Sequence, residues 1–453
     1  MHRTIGDKMS EIGSMGPNPG DTIVAHASGA GPAAIAVVRV SGPATREVLE
    51  ALAGGVPEPR HATLRDVGPP HCSLLDRGLV LWFPAPASFT GEDMAELQLH
   101  GSRAVIGELI EAVLSLPRTR LAEPGEFAHR AFENGKLDLR QIEGLADLIN
   151  AETRCQREQA LLQSQGFASA RYEAWRQSLL RAQALVEAEL DFADEGDVGV
   201  GTARETRTIV DGLLAEIAAA LKGRGERLRD GVRIVIAGAP NAGKSSLMNA
   251  LARRDVAIVS EEAGTTRDVI EVHLDLGGLP VILTDTAGLR EAAGKIEAEG
   301  VRRALARAEE ADVVLWLVDA TAPVWEPPSA LKAKACVVAV NKIDLAEAGG
   351  GRNAIPTTAK TGQGLERVIA ALEEQAALAT ESGAGSPLMT RARHRVELEA
   401  AREALMHFGD PSLSPELKAE ELRIAVRHLG RLTGRIDVEE VLGAIFAEFC
   451  IGK

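Results

Sequence analysis

The string VRIVIAGAPNAGKSSL sets Gly238, Gly243, Lys244 and Ser245 at the spacing G-x-x-x-x-G-K-S, between an apolar run and a helical one. Glycines at these places let backbone amides close around phosphate oxygens, and the following helix adds its positive end. The Lys244 ammonium then reaches the β- and γ-phosphates and the Ser245 hydroxyl suits Mg2+. A single string of this kind also fits an ordinary glycine-rich turn, but three more follow in order. DTAG ends the apolar run PVILT and puts the Asp285 carboxylate where it would hold the Mg2+ shell. NKID ends CVVAV, and its Asp344 can accept from N1–H and the 2-amine of guanine; adenine lacks that amine, so the motif selects GTP over ATP. TTAK is the loop that closes over the base, and GTTRD, between the first two motifs, is a switch-type loop whose threonine serves Mg2+. Four motifs in this order, each after an apolar strand-like run, identify a GTPase.

The candidate nucleotide contacts are therefore Asn241, Ala242, Gly243, Lys244, Ser245 and Ser246 in the phosphate loop. The switch loop adds Ser260, Glu261, Glu262, Ala263, Gly264, Thr265 and Thr266. Asp285, Thr286, Ala287 and Gly288 follow, then Asn341, Lys342 and Asp344, then Thr358, Ala359 and Lys360. Ser245 and Thr266 are the Mg2+ candidates. Leu289 stands after DTAG, where Ras-type enzymes carry the glutamine that orients the attacking water, and a leucine cannot do that. Water positioning must come from elsewhere or the enzyme is very slow. Glu291, Glu297 and Glu299 are the acidic candidates downstream, each equally readable as a solvated helix charge.

These motifs need elements to hold them. At 453 residues the chain exceeds one core and implies several domains. Residues 1–20 read as a disordered leader. From 21 to 135 short β-like runs (DTIVAHAS, AAIAVVRVSG, GLVLWFPAP, MAELQLHG) and one helical stretch near Val105 to Leu116 imply an α+β domain. Residues 136–229 are helical, with Leu139, Ile142, Leu145 and Ile149 at helical spacing. Residues 230–378 alternate strand and helix, as in a parallel α/β sheet, and 379–453 turn helical again. The α/β G domain is thus expected as an insertion in a helical domain. In the last helix Asp437 and Glu440 fit a capping box ahead of the apolar face Val438, Val441, Leu442, Ile445, Phe446 and Phe449.

The outer segments DTIVA, RVSG, SFTGEDMAELQLHG, PGEFAHRAFENGKLDL and the terminal FCIGK, with AGTTRD and DTAGLRE, resemble the MnmE (TrmE) family of tRNA-modification GTPases from Asp21 to Lys453. The resemblance implies a homodimer formed through the N-terminal domain, which binds a 5,10-methylene- or 5-formyl-tetrahydrofolate. It implies a FAD- and NADH-dependent partner, MnmG, with which an aminomethyl or carboxymethylaminomethyl group is placed at C5 of the wobble uridine of certain tRNAs. It also implies K+-stimulated hydrolysis, with Asn241, Ser260, Glu262 and Thr265 as K+ ligands and Glu297 as the catalytic glutamate. Folate-site residues carry over to Arg39, Glu96, Lys136 and Lys453. Cys450 then reads three ways: a nucleophile toward a one-carbon unit, a redox-sensitive thiol, or a small buried filler.

Composition narrows the alternatives. A formal net charge of -15 disfavours a stand-alone nucleic-acid binder such as a ribosome-assembly switch with a basic RNA module. No amphipathic basic insertion points to membrane remodelling, and no apolar run reaches about 18 residues, so a membrane span is not expected. Cys72, Cys155, Cys336 and Cys450 show no metal-ligand spacing, which suggests a reducing compartment, and the expected location is cytoplasmic.

Overall fold

The computed structural model describes residues 20–29, 31–69, 74–191, 199–254, 256–258, 271–285, 311–331, 333–346, 353–380 and 388–436, with Ile445 and Gly452. These residues form α+β and α/β layers in two compact units, Met1–Ile142 with Asp437–Lys453, and Glu143–Ile436. The predicted helix that starts at Asp437 lies outside the described residues except for Ile445, which is helical and buried.

In the first unit the strands are β1 (Thr22–His26), β2 (Ala33–Ser41), β3 (Thr63–Val67), β4 (Asp76–Phe83), β5 (Met94–Gly101) and β6 (Thr119–Leu121). The helices are α1 (Thr45–Leu52), α2 (Arg103–Leu114), α3 (Glu126–Glu133) and α4 (Leu139–Ile149), the last running on into the second unit. The strands make one sheet of order β3-β4-β5-β2-β1-β6. The β-branched run of β2 and the alternation of β5 bury Ala36, Val38, Val40, Ala95, Leu97 and Leu99 on one face. Helices α1 and α2 cover that face with Val48, Leu49, Ile106 and Leu109. Ser102 caps α2 by accepting from the Val105 amide at 3.1 Å. The strands β3 and β6 had no alternating apolar signal to announce them.

In the second unit, α5 (Arg154–Ser164), α6 (Phe167–Asp191), α7 (Gly199–Leu221) and α8 (Gly225–Asp230) precede the nucleotide-binding segment. That segment holds β7 (Val232–Gly238), α9 (Lys244–Ala252), β8 (Glu271–Leu276), β9 (Leu279–Asp285), β10 (Val313–Asp319), β11 (Ala335–Asn341), β12 (Ile355–Pro356) and α10 (Leu365–Thr380). Helices α11 (Ala392–Phe408) and α12 (Pro415–Thr433) follow. Helices α6, α7, α11 and α12 share one core around Tyr172, Trp175, Leu179, Ile217, Leu398 and Leu429. At the foot of α11 the fully buried Glu143 accepts from Arg393 Nε at 2.7 Å and from His394 Nε2 at 2.9 Å, while Asp147 accepts from Arg391 and Arg229. A buried carboxylate needs such partners, because its desolvation is otherwise uncompensated.

The second sheet has the order β12-β11-β10-β7-β9-β8, parallel except for the β8–β9 hairpin. From β7 the chain builds first toward β8 and β9 and then crosses to β10 on the other side. The C-terminal end of β7 is therefore the topological switch point, where open α/β sheets bind ligands.

Candidate functional site

The phosphate loop leaves β7 at that switch point. Gly238 pairs with Leu317 of β10, and a Cβ on it would lie 2.3 Å from the Leu317 carbonyl, so only glycine lets the loop depart there. Asn241 (φ 64°) and Gly243 (φ 94°) both take left-handed backbone to turn the chain into α9. The Lys244 ammonium donates to the Gly238 and Ala239 carbonyls at 3.0 and 3.1 Å, which holds it over the mouth of the loop. Ser245 Oγ donates to Asp285 Oδ2 at 2.7 Å, and Asp285 ends β9 at 4 % exposure. Two hard oxygen donors proposed for Mg2+ are thus side by side, a set that fits the ion.

Asn341, at the end of β11, joins three motifs. Its Nδ2 donates to the Ala242 carbonyl at 2.8 Å and its Oδ1 accepts from the Ala359 amide at 3.0 Å. A Cβ on Gly243 would stand 2.3 Å from that Nδ2, so the glycine also makes room for this bridge. Thr358 pairs with Gln363 to shape the last loop, leaving Lys360 exposed, and Asp344 and Ser246 are exposed near their loops. Lys342 also takes left-handed backbone (φ 66°), which costs a residue with a Cβ about 1–2 kcal/mol. Its ammonium donates to Asp319 Oδ2 at 2.5 Å. Sequence reading missed Asp319, a carboxylate at the end of an otherwise apolar strand.

Ser260, Glu261, Glu262, Ala263, Gly264, Thr265 and Thr266 lie outside the described residues, as do Thr286, Ala287, Gly288 and Glu297. The same holds for Cys450 and Lys453.

In the first unit Arg39 and Glu96 stand opposite each other in the β2–β5 register. Arg39 donates to Glu96 Oε1 from Nε (3.1 Å) and Nη2 (2.8 Å), and from Nη1 to the Gly452 carbonyl (3.3 Å). Its guanidinium also lies 5.8 Å from the Phe89 ring and 5.7 Å from the Phe127 ring. Lys136 donates to the Pro86 carbonyl at 3.0 Å, on the same 84–93 loop that carries Phe89. Gly452 (φ 102°) packs on the end of β1, where a Cβ would meet the His26 carbonyl at 2.4 Å. Gly452 is thus seated beside the guanidinium.

A charged framework that sequence reading also missed lies on the 84–93 loop and at α3, the segments that carry the two rings. Arg130 donates to Glu92 Oε2 at 2.9 Å and Glu126 Oε1 at 2.9 Å, and Arg120 Nη1 to Glu126 Oε2 at 2.8 Å. Burial alone would push the Glu126 carboxyl up, but Arg120, the Glu123 amide and Arg130 together hold it below its ordinary value. Glu92, Glu126 and Arg130 sit in the strings SFTGEDMAEL and PGEFAHRAF, while Arg120 and Glu123 lie just before the second. Among the described residues no group of His, Cys, Asp and Glu is placed to hold a metal by itself, and no helix is long and apolar enough to cross a membrane.

Comparison with known proteins assigns both units. The family model described as GTP-binding protein TrmE N-terminus matches residues 22–136, and that of the MnmE helical domain matches residues 139–450. A protein of Beijerinckia indica named tRNA modification GTPase MnmE is 52% identical over 436 residues, 96% of each chain. One of the same name from Parvibaculum lavamentivorans is 52% identical over 444 residues, covering 96% of this chain and 100% of that one. A third, from Rhodopseudomonas palustris, is 50% identical over 463 residues. With the phosphate loop, the guanine-reading loop and these matches spanning nearly the whole length, the chain belongs to the MnmE family of tRNA modification GTPases.

Proposed function

We propose that this GTPase acts in tRNA modification as a K+-stimulated, Mg2+-dependent homodimer. With the FAD- and NADH-dependent protein MnmG it installs an aminomethyl or carboxymethylaminomethyl group at C5 of the wobble uridine, using a tetrahydrofolate one-carbon donor in the cytoplasm. The observation that carries this reading is the Arg39 guanidinium held by Glu96 and the Gly452 carbonyl between two aromatic rings. A plain nucleotide switch has no use for such a charged cluster on a separate unit. A carboxylate and a guanidinium side by side offer the acceptor and donors that a pterin edge and an acidic tail require, and Lys136 and Lys453 add cations for the tail.

In the nucleotide site, bound Mg2+ would neutralise charge on the β- and γ-phosphates. Ser245, Asp285 and Thr266 would hold it, Ser245 and Asp285 being already hydrogen-bonded to each other, and Lys244 would bind the phosphate oxygens. Asn241, on the exposed shoulder of the loop, is suited with Ser260, Glu262 and Thr265 to hold K+ where an arginine finger acts elsewhere. Glu297 takes over the water positioning that Leu289 cannot perform. Support for dimerisation through the first unit comes from Leu64 on the edge strand β3 and Leu79 opposite it on β4, 56% and 38% exposed.

The test is GTP turnover of the purified chain in KCl and in NaCl at equal ionic strength, with a parallel titration of 5-formyl-tetrahydrofolate. Faster turnover in KCl and folate binding lost in Arg39→Ala are expected. Equal rates in both salts remove the K+ mechanism, and undiminished folate binding by Arg39→Ala removes the folate site.

A further inference from the structure

We propose that Asp319 is a positioning residue for guanine recognition: it holds the Lys342 side chain, and with it the left-handed turn between Asn341, which ties the phosphate loop to the base loop, and Asp344, the acceptor for the base. The inference deepens the reading of this site as a guanine-nucleotide site and rests on it.

Asp319 ends β10 directly opposite Asn341 in the β10–β11 register, and the Ala320 amide donates to the Asn341 carbonyl at 2.9 Å. Its carboxylate is 7 % exposed and both oxygens are engaged. Oδ1 accepts from the Thr321 amide at 2.9 Å and from the Thr321 hydroxyl at 2.7 Å, which fixes the direction of the group. Oδ2 is left facing the next strand, and there it accepts from Lys342 Nζ. Burial would push this carboxyl up, but Lys342 and Thr321 outweigh it and hold it below the ordinary value, so it stays ionised at neutral pH.

Lys244 donates to two backbone carbonyls of its own loop. Lys342 rests on a buried carboxylate that would be left uncompensated if the ammonium departed. Lys342 is therefore built to stay. Its backbone is in a left-handed conformation that persists only where surroundings enforce it, and it lies between the bridging Asn341 and the base-reading Asp344. A stem pinned at its tip and at its backbone keeps that short segment from relaxing.

The experiment uses the full chain. Mant-GDP binding by the wild type tests the nucleotide site itself, and no binding there would sink that reading rather than this one. Asp319→Asn keeps the size and the acceptor for Thr321 but loses the charge. It should weaken mant-GDP about tenfold and raise KM for GTP in step, with saturating kcat changed less than about twofold. In a Lys342→Met background the same substitution should change affinity less than about twofold, the signature of a coupled pair. Thr321→Val, on an exposed turn, should weaken binding about threefold in the wild type and not in Lys342→Met. Equal losses with and without Lys342, an unchanged affinity, or a fall in kcat at constant KM would each overturn the assignment.

Discussion

The nucleotide loop and the proposed folate site around Arg39 both gather polar groups, but they are made of different material. The first is mostly backbone: loops at the ends of β7, β9 and β11, with the Asn341 amide tying two of them together. The second is made of side chains from β2, β5, the 84–93 loop, α3 and a chain end 413 positions from Arg39. Backbone sites require particular conformations over a few consecutive residues, so they recur as short strings rich in glycine. Side-chain sites require only that sheet register and packing deliver the right groups, and they leave no string at all.

The sharpest way to break the comparison is to change one glycine of the first site. Gly243→Ala forces a Cβ into a backbone at φ 94° and to within 2.3 Å of the Asn341 amide. The phosphate loop and the guanine-reading loop can then no longer share that bridge. Guanine-nucleotide affinity should fall about a hundredfold, or about 2.7 kcal/mol, in a mant-GDP titration, with folate binding intact. Affinity within a factor of three of wild type would mean that the bridge is incidental.

The second site depends instead on its charged framework. Glu126 accepts from Arg120, Arg130 and the Glu123 amide, and the neighbouring Phe127 forms one of the rings beside Arg39. Glu126→Gln puts an amide where a donor needs an acceptor and should cost about 2 kcal/mol in urea unfolding at pH 7. The sign with pH follows from the lowered pKa. The folded state prefers the ionised form, so this contribution is complete above the ordinary value of 4.5 and is lost as pH falls through the lower folded value. The gap between wild type and Glu126→Gln should therefore be constant from pH 8 to about 5.5 and close at lower pH. A gap that widens on acidification would show that the group is not held as a carboxylate.

This contrast also sets how much could be read before any coordinates. Gly238, Lys244, Ser245, Asp285, Asn341 and Asp344 are legible from spacing, because each follows an apolar strand that must end there. The strands β1, β2, β4 and β5 and the helical stretches were visible in apolar periodicity. β3 and β6 were not, since TLRDV and TRL have no apolar face of their own and pair only because β4 and β1 offer an edge. Arg39 and Glu96 entered through family resemblance; nothing in VVRVSG or MAELQ says that they face each other. Asp319 escaped notice for the same reason, as its partner lies 23 positions away, just past the end of another strand. The placement of Phe89 and Phe127 beside a guanidinium is a product of packing.

The chain end gives the finest test of the comparison, because Gly452 is the one point where the side-chain site also depends on backbone conformation. Its φ of 102° and the His26 carbonyl, 2.4 Å from where a Cβ would sit, exclude any other residue. Gly452→Ala must lift the end of the chain off β1 and withdraw the carbonyl to which Arg39 Nη1 donates. Glu96 still holds the other side of the guanidinium, so the site should be weakened and not destroyed. Binding of 5-formyl-tetrahydrofolate should drop about tenfold, or about 1.4 kcal/mol, while the GTP turnover of the variant stays within twofold of wild type. A loss as large as that of Arg39→Ala would mean that the chain end, and not the strand pair, is the principal holder of the ligand. An unchanged folate affinity would reduce Gly452 to a fold determinant and leave Arg39 and Glu96 to bind alone.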